Sequence, residues 1–131
     1  MDWILREGEI AAVIALDASE RYTYWLKRVV DRQQVWSLWQ EGWAMGGDSE
    51  GRAMLPVWPH ARYAALCASD EWAGFNPRSI TLEDWMQKWL PGLTRDSRYV
   101  SVFPTAKGRG IPVDPVRLKC DLKTEIAKYE D

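Results

Sequence analysis

The chain has 131 residues, of which 47% are hydrophobic and 27% are charged, and its formal net charge is −2. This length and composition are typical of one globular domain and indicate neither a disordered protein nor a membrane protein. Acidic and basic residues are mixed along the sequence, so no broad basic face for nucleic acid is expected. No apolar run reaches about 18 residues, so the chain is predicted to be cytoplasmic, with no membrane contact.

Apolar residues recur at helical spacing in four parts of the chain. The predicted helices cover residues 8–32, 61–68, 82–93 and 115–129. The first is one bent helix or two helices, with Ser19 as a candidate N-cap of its second part. The third begins at a capping box on Thr81 and is interrupted or ended by Pro91. The last begins with Asp114 as N-cap and Pro115 at the first helical position, and its stripe runs to Tyr129.

Short extended runs separate these helices. They share aromatic or β-branched residues between turn signals and cover residues 35–39, 43–45, 53–58, 78–80, 99–103 and 111–113. The glycine-rich stretch 46–51 predicts a hairpin turn, and Pro59 ends a strand at Trp58. We therefore expect an α+β fold with a small mixed or antiparallel sheet of about four strands, flanked by about four helices, in one compact domain over residues 1–131.

Eight short stretches of the sequence together carry a resemblance to a known protein family. They are Glu20-Arg21-Tyr22-Thr23-Tyr24-Trp25, Val35-Trp36, Glu41-Gly42-Trp43-Ala44, Leu55-Pro56-Val57-Trp58-Pro59-His60, Glu71-Trp72-Ala73-Gly74-Phe75, Ser79-Ile80-Thr81-Leu82, Lys88-Trp89-Leu90-Pro91-Gly92-Leu93 and Val102-Phe103-Pro104. Over residues 19–131 this set resembles a family of small bacterial proteins known as domain of unknown function 2750, with residues 1–18 as an N-terminal helical extension. The resemblance implies a bacterial, cytoplasmic, single-domain protein and implies no activity, cofactor or catalytic residue.

The residues that could carry chemistry are few. His60, the only histidine, is either a general acid or base, or a residue of the first helical turn that hydrogen-bonds a loop. Cys67 lies about 10.5 Å further along a helix, which is too far for a nucleophile and base pair. Cys67 and Cys120 are expected to be reduced thiols, and no metal or cofactor is expected. The basic run 107–110 is a solvated loop or a contact for phosphate or an acidic partner.

Nine tryptophans are the unusual feature of the composition. Tryptophan fills protein cores, but it is also the residue most favoured at binding hot spots. Three of them lie on apolar helical stripes and are predicted to be core: Trp25, Trp85 and Trp89. The tryptophans near strands and loops are either exposed together as a partner surface or buried in an aromatic-rich core: Trp36, Trp39, Trp43, Trp58 and Trp72.

The leading functional hypothesis is a non-catalytic module, adaptor or immunity-like, that binds another protein through an aromatic patch around Trp43, Trp58, His60 and Trp72. The alternative is a small-molecule-binding protein or weak enzyme with a pocket around His60 and Arg62. A third hypothesis is a homodimer that pairs an exposed sheet edge.

Overall fold

The structure is a computed structural model that describes residues 4–47, 50–106 and 108–129. It confirms the predicted α+β fold. The helices are α1 Glu7–Ile14, α2 Ala18–Arg32, α3 Ala61–Leu66, α4 Leu82–Asp84, α5 Leu90–Arg95 and α6 Pro115–Ala127. The strands are β1 Gln34–Trp39, β2 Gly46–Gly47, β3 Ala53–Val57, β4 Asn76–Thr81, β5 Tyr99–Val102 and β6 Ile111–Val113. A short 3-10 turn, Asp70–Trp72, precedes β4.

The strands form two sheets that share one bridge. β1 pairs antiparallel with β4, and the other four strands lie in the order β2-β3-β5-β6. In this second sheet the outer pairs are antiparallel and the central pair, β3 and β5, is parallel. The bridge joins the backbones of Trp36 and Trp58, whose N–H groups each donate to the other residue's carbonyl, at 3.0 and 2.8 Å. The sheet architecture is therefore mixed.

One face of the four-stranded sheet packs against the hydrophobic core. Leu55, Val100 and Val113 align across β3, β5 and β6 and are buried. They belong to the core, as do the buried residues of α2 and α6: Trp25, Val29, Leu118 and Leu122. Because side chains alternate along a strand, the neighbouring row, Pro56, Ser101 and Pro112, lies on the opposite face.

Side-chain caps explain where the helices begin. Asp17 caps α2, because its Oδ1 accepts the Glu20 N–H at 2.8 Å. The prediction that Ser19 caps this helix is wrong, since the helix already includes residue 19. The predicted caps of the later helices are confirmed: Thr81 Oγ1 accepts the Asp84 N–H at 3.1 Å, and Asp114 Oδ1 accepts the Val116 N–H at 2.8 Å.

Pro91 interrupts the helical geometry without ending the helix. The chain stays helical from α4 through a π-helical turn, Trp85–Trp89, into α5. A proline ring clashes with the carbonyl four residues earlier in an α-helix, and the wider π turn lies at that position. The helix therefore runs on to Arg95, past the predicted end.

Three further expectations need correction. Residues 43–45 are not a strand, because Trp43 makes only one bridge, to Trp39, and β2 begins at Gly46 inside the predicted turn. Tyr129 is 61% exposed and lies outside the apolar face of α6. Trp89 is only partly buried, whereas Trp25 and Trp85 are fully buried as predicted. In the part of the chain that the structure describes, no helix combines the length and apolar character needed to span a membrane.

Candidate functional site

Trp58 belongs to the core. Its side chain is 0% exposed, and its indole Nε1 donates to the Pro104 carbonyl at 2.8 Å. Although β3 ends at Val57, Trp58 keeps its backbone pairing with Trp36, which holds it inside the sheet. A ring without exposed surface cannot contact a partner. The expectation that Trp58 belongs to a surface patch is therefore wrong.

His60 and Arg62 make structural contacts at the start of α3. His60 Nδ1 accepts the backbone N–H of Arg62 at 3.0 Å and so caps α3, whereas the second interpretation of this histidine has it in the first helical turn with a hydrogen bond to a loop. The guanidinium of Arg62 donates to the Leu5 carbonyl at 2.6 Å and also pairs with Glu7. These bonds attach α1 to α3. Neither His60 nor Arg62 lines the cleft of about 590 Å³ on the four-stranded sheet.

Trp43 lies in a separate aromatic cluster. Its ring centroid is 5.1 Å from that of Trp39 and 5.0 Å from that of Trp89, and both pairs are edge-to-face. The Arg78 guanidinium stands over Trp39 at 4.4 Å from the ring centroid. These contacts stabilise the junction of β1, β4 and the π turn. The structure therefore does not bring Trp43 together with Trp72.

Trp72 lines an open cleft of about 590 Å³ on the face of the four-stranded sheet opposite the Leu55 row. We call it the sheet groove. Its floor is the row Pro56, Ser101 and Pro112, one wall carries Trp72, and the loop that follows β5 contributes Arg109 to its lining. Of the five predicted site residues, Trp72 lines the groove, and the other four do not: Trp43, Trp58, His60 and Arg62.

Close contacts fix the lining of the groove. The Trp72 ring lies edge-to-face with Trp58 at 6.2 Å, and its Cζ2 would be 3.6 Å from a Cβ on Gly46. On the loop, a Cβ on Gly110 would be 2.5 Å from Ser101 Oγ and 2.8 Å from the Val102 carbonyl oxygen. Only glycine lets the loop approach the sheet so closely.

Phe103 redirects the chain from β5 into this loop. Its φ is +56°, a left-handed conformation that is costly for a bulky residue, by about 1–3 kcal/mol. Two hydrogen bonds hold it there: its N–H donates to the Val57 carbonyl at 2.9 Å, and its carbonyl accepts from Arg21 Nε at 3.4 Å. From this turn the chain leads to Pro104, Arg109 and Gly110, which line the groove.

Polar groups of the groove fall into two classes. Arg52 is satisfied by an ion pair with Glu50 at 3.6 Å and by the Tyr99 ring at 4.5 Å. In contrast, the Ser101 hydroxyl, on a residue only 8% exposed, makes no hydrogen bond with any described residue. The guanidinium of Arg109 likewise has no partner among the described residues. Both are donors left available to a ligand.

Cys67 is unsuited to nucleophilic chemistry. Its thiol lies 3.4 Å from the Pro104 carbonyl, and burial raises its pKa to about 11. The thiolate is the reactive form, so little of it exists near neutral pH. Within residues 4–47, 50–106 and 108–129, no group of three or more His, Cys, Asp or Glu side chains is placed to hold a metal ion.

Ser101, Arg109 and Gly110 were not predicted as one site. The sequence predicts Arg109 only as part of a basic run that is a solvated loop or a contact for phosphate or an acidic partner, and it predicts Ser101 only as the polar residue of an alternating strand. The spacing of these residues in the sequence does not indicate that they form one site. The position of Ser101 on the floor of the groove depends on the register of β3, β5 and β6, which aligns it between Pro56 and Pro112.

This fold and groove define a class: a small α+β protein whose four-stranded sheet has one face against the core and a groove on the other. The family described as protein of unknown function, DUF2750, matches residues 22–122, and the chain belongs to this family. The match confirms the resemblance seen in the sequence. No curated protein and no solved structure is significantly similar to the chain.

Proposed function

We propose that the protein is a non-catalytic module that binds another protein through the sheet groove. The observation that carries this proposal is the pair of unpartnered donors, Ser101 and Arg109, in a groove that also presents Trp72. Tryptophan and arginine are the residues most often found at binding hot spots. An adaptor or immunity-like role in the bacterial cytoplasm would suit such a module.

An available donor supports a ligand at this position. Ser101 is only 8% exposed and lines the groove, and its hydroxyl makes no hydrogen bond with a described residue. A ligand that accepts this hydrogen bond gains about 0.5–1.5 kcal/mol net. The half-buried ring of Trp72 supplies apolar area next to Ser101.

The size of the groove supports a second candidate, a small molecule at the same place. A volume of about 590 Å³ falls within the range of about 300–1,000 Å³ that is usual for small-molecule sites. The alternative centred on His60 has less support, since His60 caps α3 and does not line the groove. The ligand, whether protein or small molecule, is thus proposed for the groove.

A pull-down from host lysate tests the proposal. Wild type is compared with Trp72→Ala and Pro112→Lys, which alter a wall and the floor, and with Arg98→Ala, an exposed control outside the groove. Circular dichroism first shows that each variant folds. We expect wild type and Arg98→Ala to retain one stoichiometric partner that both groove variants lose. Capture that both groove variants keep would contradict the proposal.

The same samples address the homodimer hypothesis. Light scattering gives the solution mass, and a monomer is 15.1 kDa. A dimer that Pro112→Lys dissociates would identify the partner at the groove as a second copy of this chain. If the wild-type protein is a monomer, a second copy of this chain does not occupy the groove, and the proposed partner is a different protein.

A further inference from the structure

We propose that the occupant of the sheet groove is an extended segment of the partner that carries one carboxylate side chain, held by Arg109 and Ser101, beside an apolar side chain that packs on Trp72. This inference rests on the proposed function, because it names the chemistry that the groove recognises. Three properties of the lining lead to it.

The two available donors favour a carboxylate. A guanidinium presents parallel N–H groups that match the two oxygens of a carboxylate, and such charge-assisted bonds are about twice as strong as neutral ones. Arg109 offers this fork at the rim, and the Ser101 hydroxyl offers a further donor from the floor. A carboxylate between them would satisfy both groups, which a neutral apolar segment would leave unpaired.

The remaining charges limit the ligand to one negative group. Glu50 and Glu71 also line the groove, and Glu50 already neutralises Arg52. Glu71 has no ion-pair partner among the described residues, so its charge remains in the lining. A polyphosphate or a nucleic-acid backbone would meet these carboxylates with several charges of the same sign. An isolated Asp or Glu side chain meets the Arg109 charge without that accumulated repulsion.

The shape of the floor favours an extended segment. The lining runs from Gly46 on β2 across Pro56 and Ser101 to Pro112 on β6, which is three strand spacings or about 14 Å. An extended chain advances about 3.3 Å per residue, so about four residues span the floor. Trp72 and Arg109 then contact different side chains of one segment, and the proline rings between them offer an apolar surface.

The test uses a displayed library of random heptapeptides, selected on the immobilised full chain. We expect the enriched peptides to share one Asp or Glu next to an apolar residue. An enriched peptide is then synthesised with its acid unchanged and with the acid replaced by Gln or Lys, and affinities are measured by titration calorimetry. N-acetylglutamate amide serves as the small carboxylate probe.

Charge reversal supplies the decisive comparison. Arg109→Glu should weaken binding of the acidic peptide by at least about tenfold, and Ser101→Ala by about threefold to tenfold. Arg98→Glu adds the same charge outside the groove and should change affinity less than about twofold. The Lys peptide should bind Arg109→Glu better than wild type. Such compensation would not arise if Arg109 only supported the loop.

Several results would overturn the inference: no enrichment, enriched peptides without an acid, an unchanged affinity in Arg109→Glu, or N-acetylglutamate amide binding as tightly as the peptide. Failure of the inference is distinguishable from failure of the proposed function. If Trp72→Ala loses the natural partner while Arg109→Glu retains it, the groove remains a protein-binding site and only the carboxylate is refuted.

Discussion

Replacing Trp58 tests whether this residue supports the fold or a binding surface. Truncation of a fully buried tryptophan to alanine costs about 3–5 kcal/mol, and the indole of Trp58 also loses a hydrogen bond to Pro104 and an edge contact with Trp72. We therefore expect Trp58→Ala to lose about 4 kcal/mol of unfolding free energy. For 131 residues the unfolding entropy is about 275 cal/mol/K, so this loss lowers Tm by about 15 °C.

Urea unfolding monitored by circular dichroism measures this loss. Trp58→Phe provides a second variant that stays folded: it keeps most of the apolar volume and loses the indole donor, while the Cys67 thiol still contacts the Pro104 carbonyl. We expect it to cost about 1–2 kcal/mol. Trp72→Ala, at a half-buried ring, should cost less than Trp58→Ala. A Trp58→Ala protein that melts within about 3 °C of wild type would refute the assignment of this residue to the core.

Three other substitutions or titrations probe the surroundings of the groove. Gly110→Ala places a methyl group 2.5 Å from Ser101 Oγ, so we expect a loss of about 1–3 kcal/mol in urea unfolding, and a stability equal to wild type would contradict the close approach. Cys67 should react with a thiol reagent at pH 8 at least about tenfold more slowly than the exposed Cys120, and Cys120→Ser isolates the slow phase; equal rates would contradict the raised pKa of the half-buried Cys67 thiol. The pKa of Cys67 is about 11 in the folded protein, against an ordinary value of 9.0. The free energy of unfolding that the Cys67 thiol contributes is therefore fully present below pH 9 and is lost as the pH rises towards 11. Arg62→Ala removes the bonds to Leu5 and Glu7, so amide exchange in α1 should accelerate at a cost of less than about 1 kcal/mol, whereas unchanged exchange would show that other contacts hold α1.

Local signals predicted most of the helices and strands correctly. Thr81 and Asp114 cap their helices as expected, because a cap depends on residues only two or three positions apart. The pattern at residues 99–103 likewise gave β5, which the structure ends one residue earlier, at Val102. These features need no knowledge of distant parts of the chain.

The candidate site could not be predicted in the same way. Pro59 correctly marks the end of a strand, but it does not show that Trp58 still pairs with Trp36 and donates to Pro104. The groove depends on the register of three strands, which aligns Pro56, Ser101 and Pro112 from distant parts of the sequence. Pro91 predicts either an interruption or an end of the helix, and the structure has the interruption, in the π turn Trp85–Trp89.

The parallel pairing of β3 with β5 also constrains the order in which the chain assembles. β2 and β3 are only five residues apart in the sequence and can pair early, whereas β5 can reach β3 only after residues 58–98 have been brought back across the sheet. Pairings that close such a long loop slow folding. Until the loop closes, the inner edges of β3 and β5 stay open to other chains, so newly made protein is most prone to aggregation at this stage.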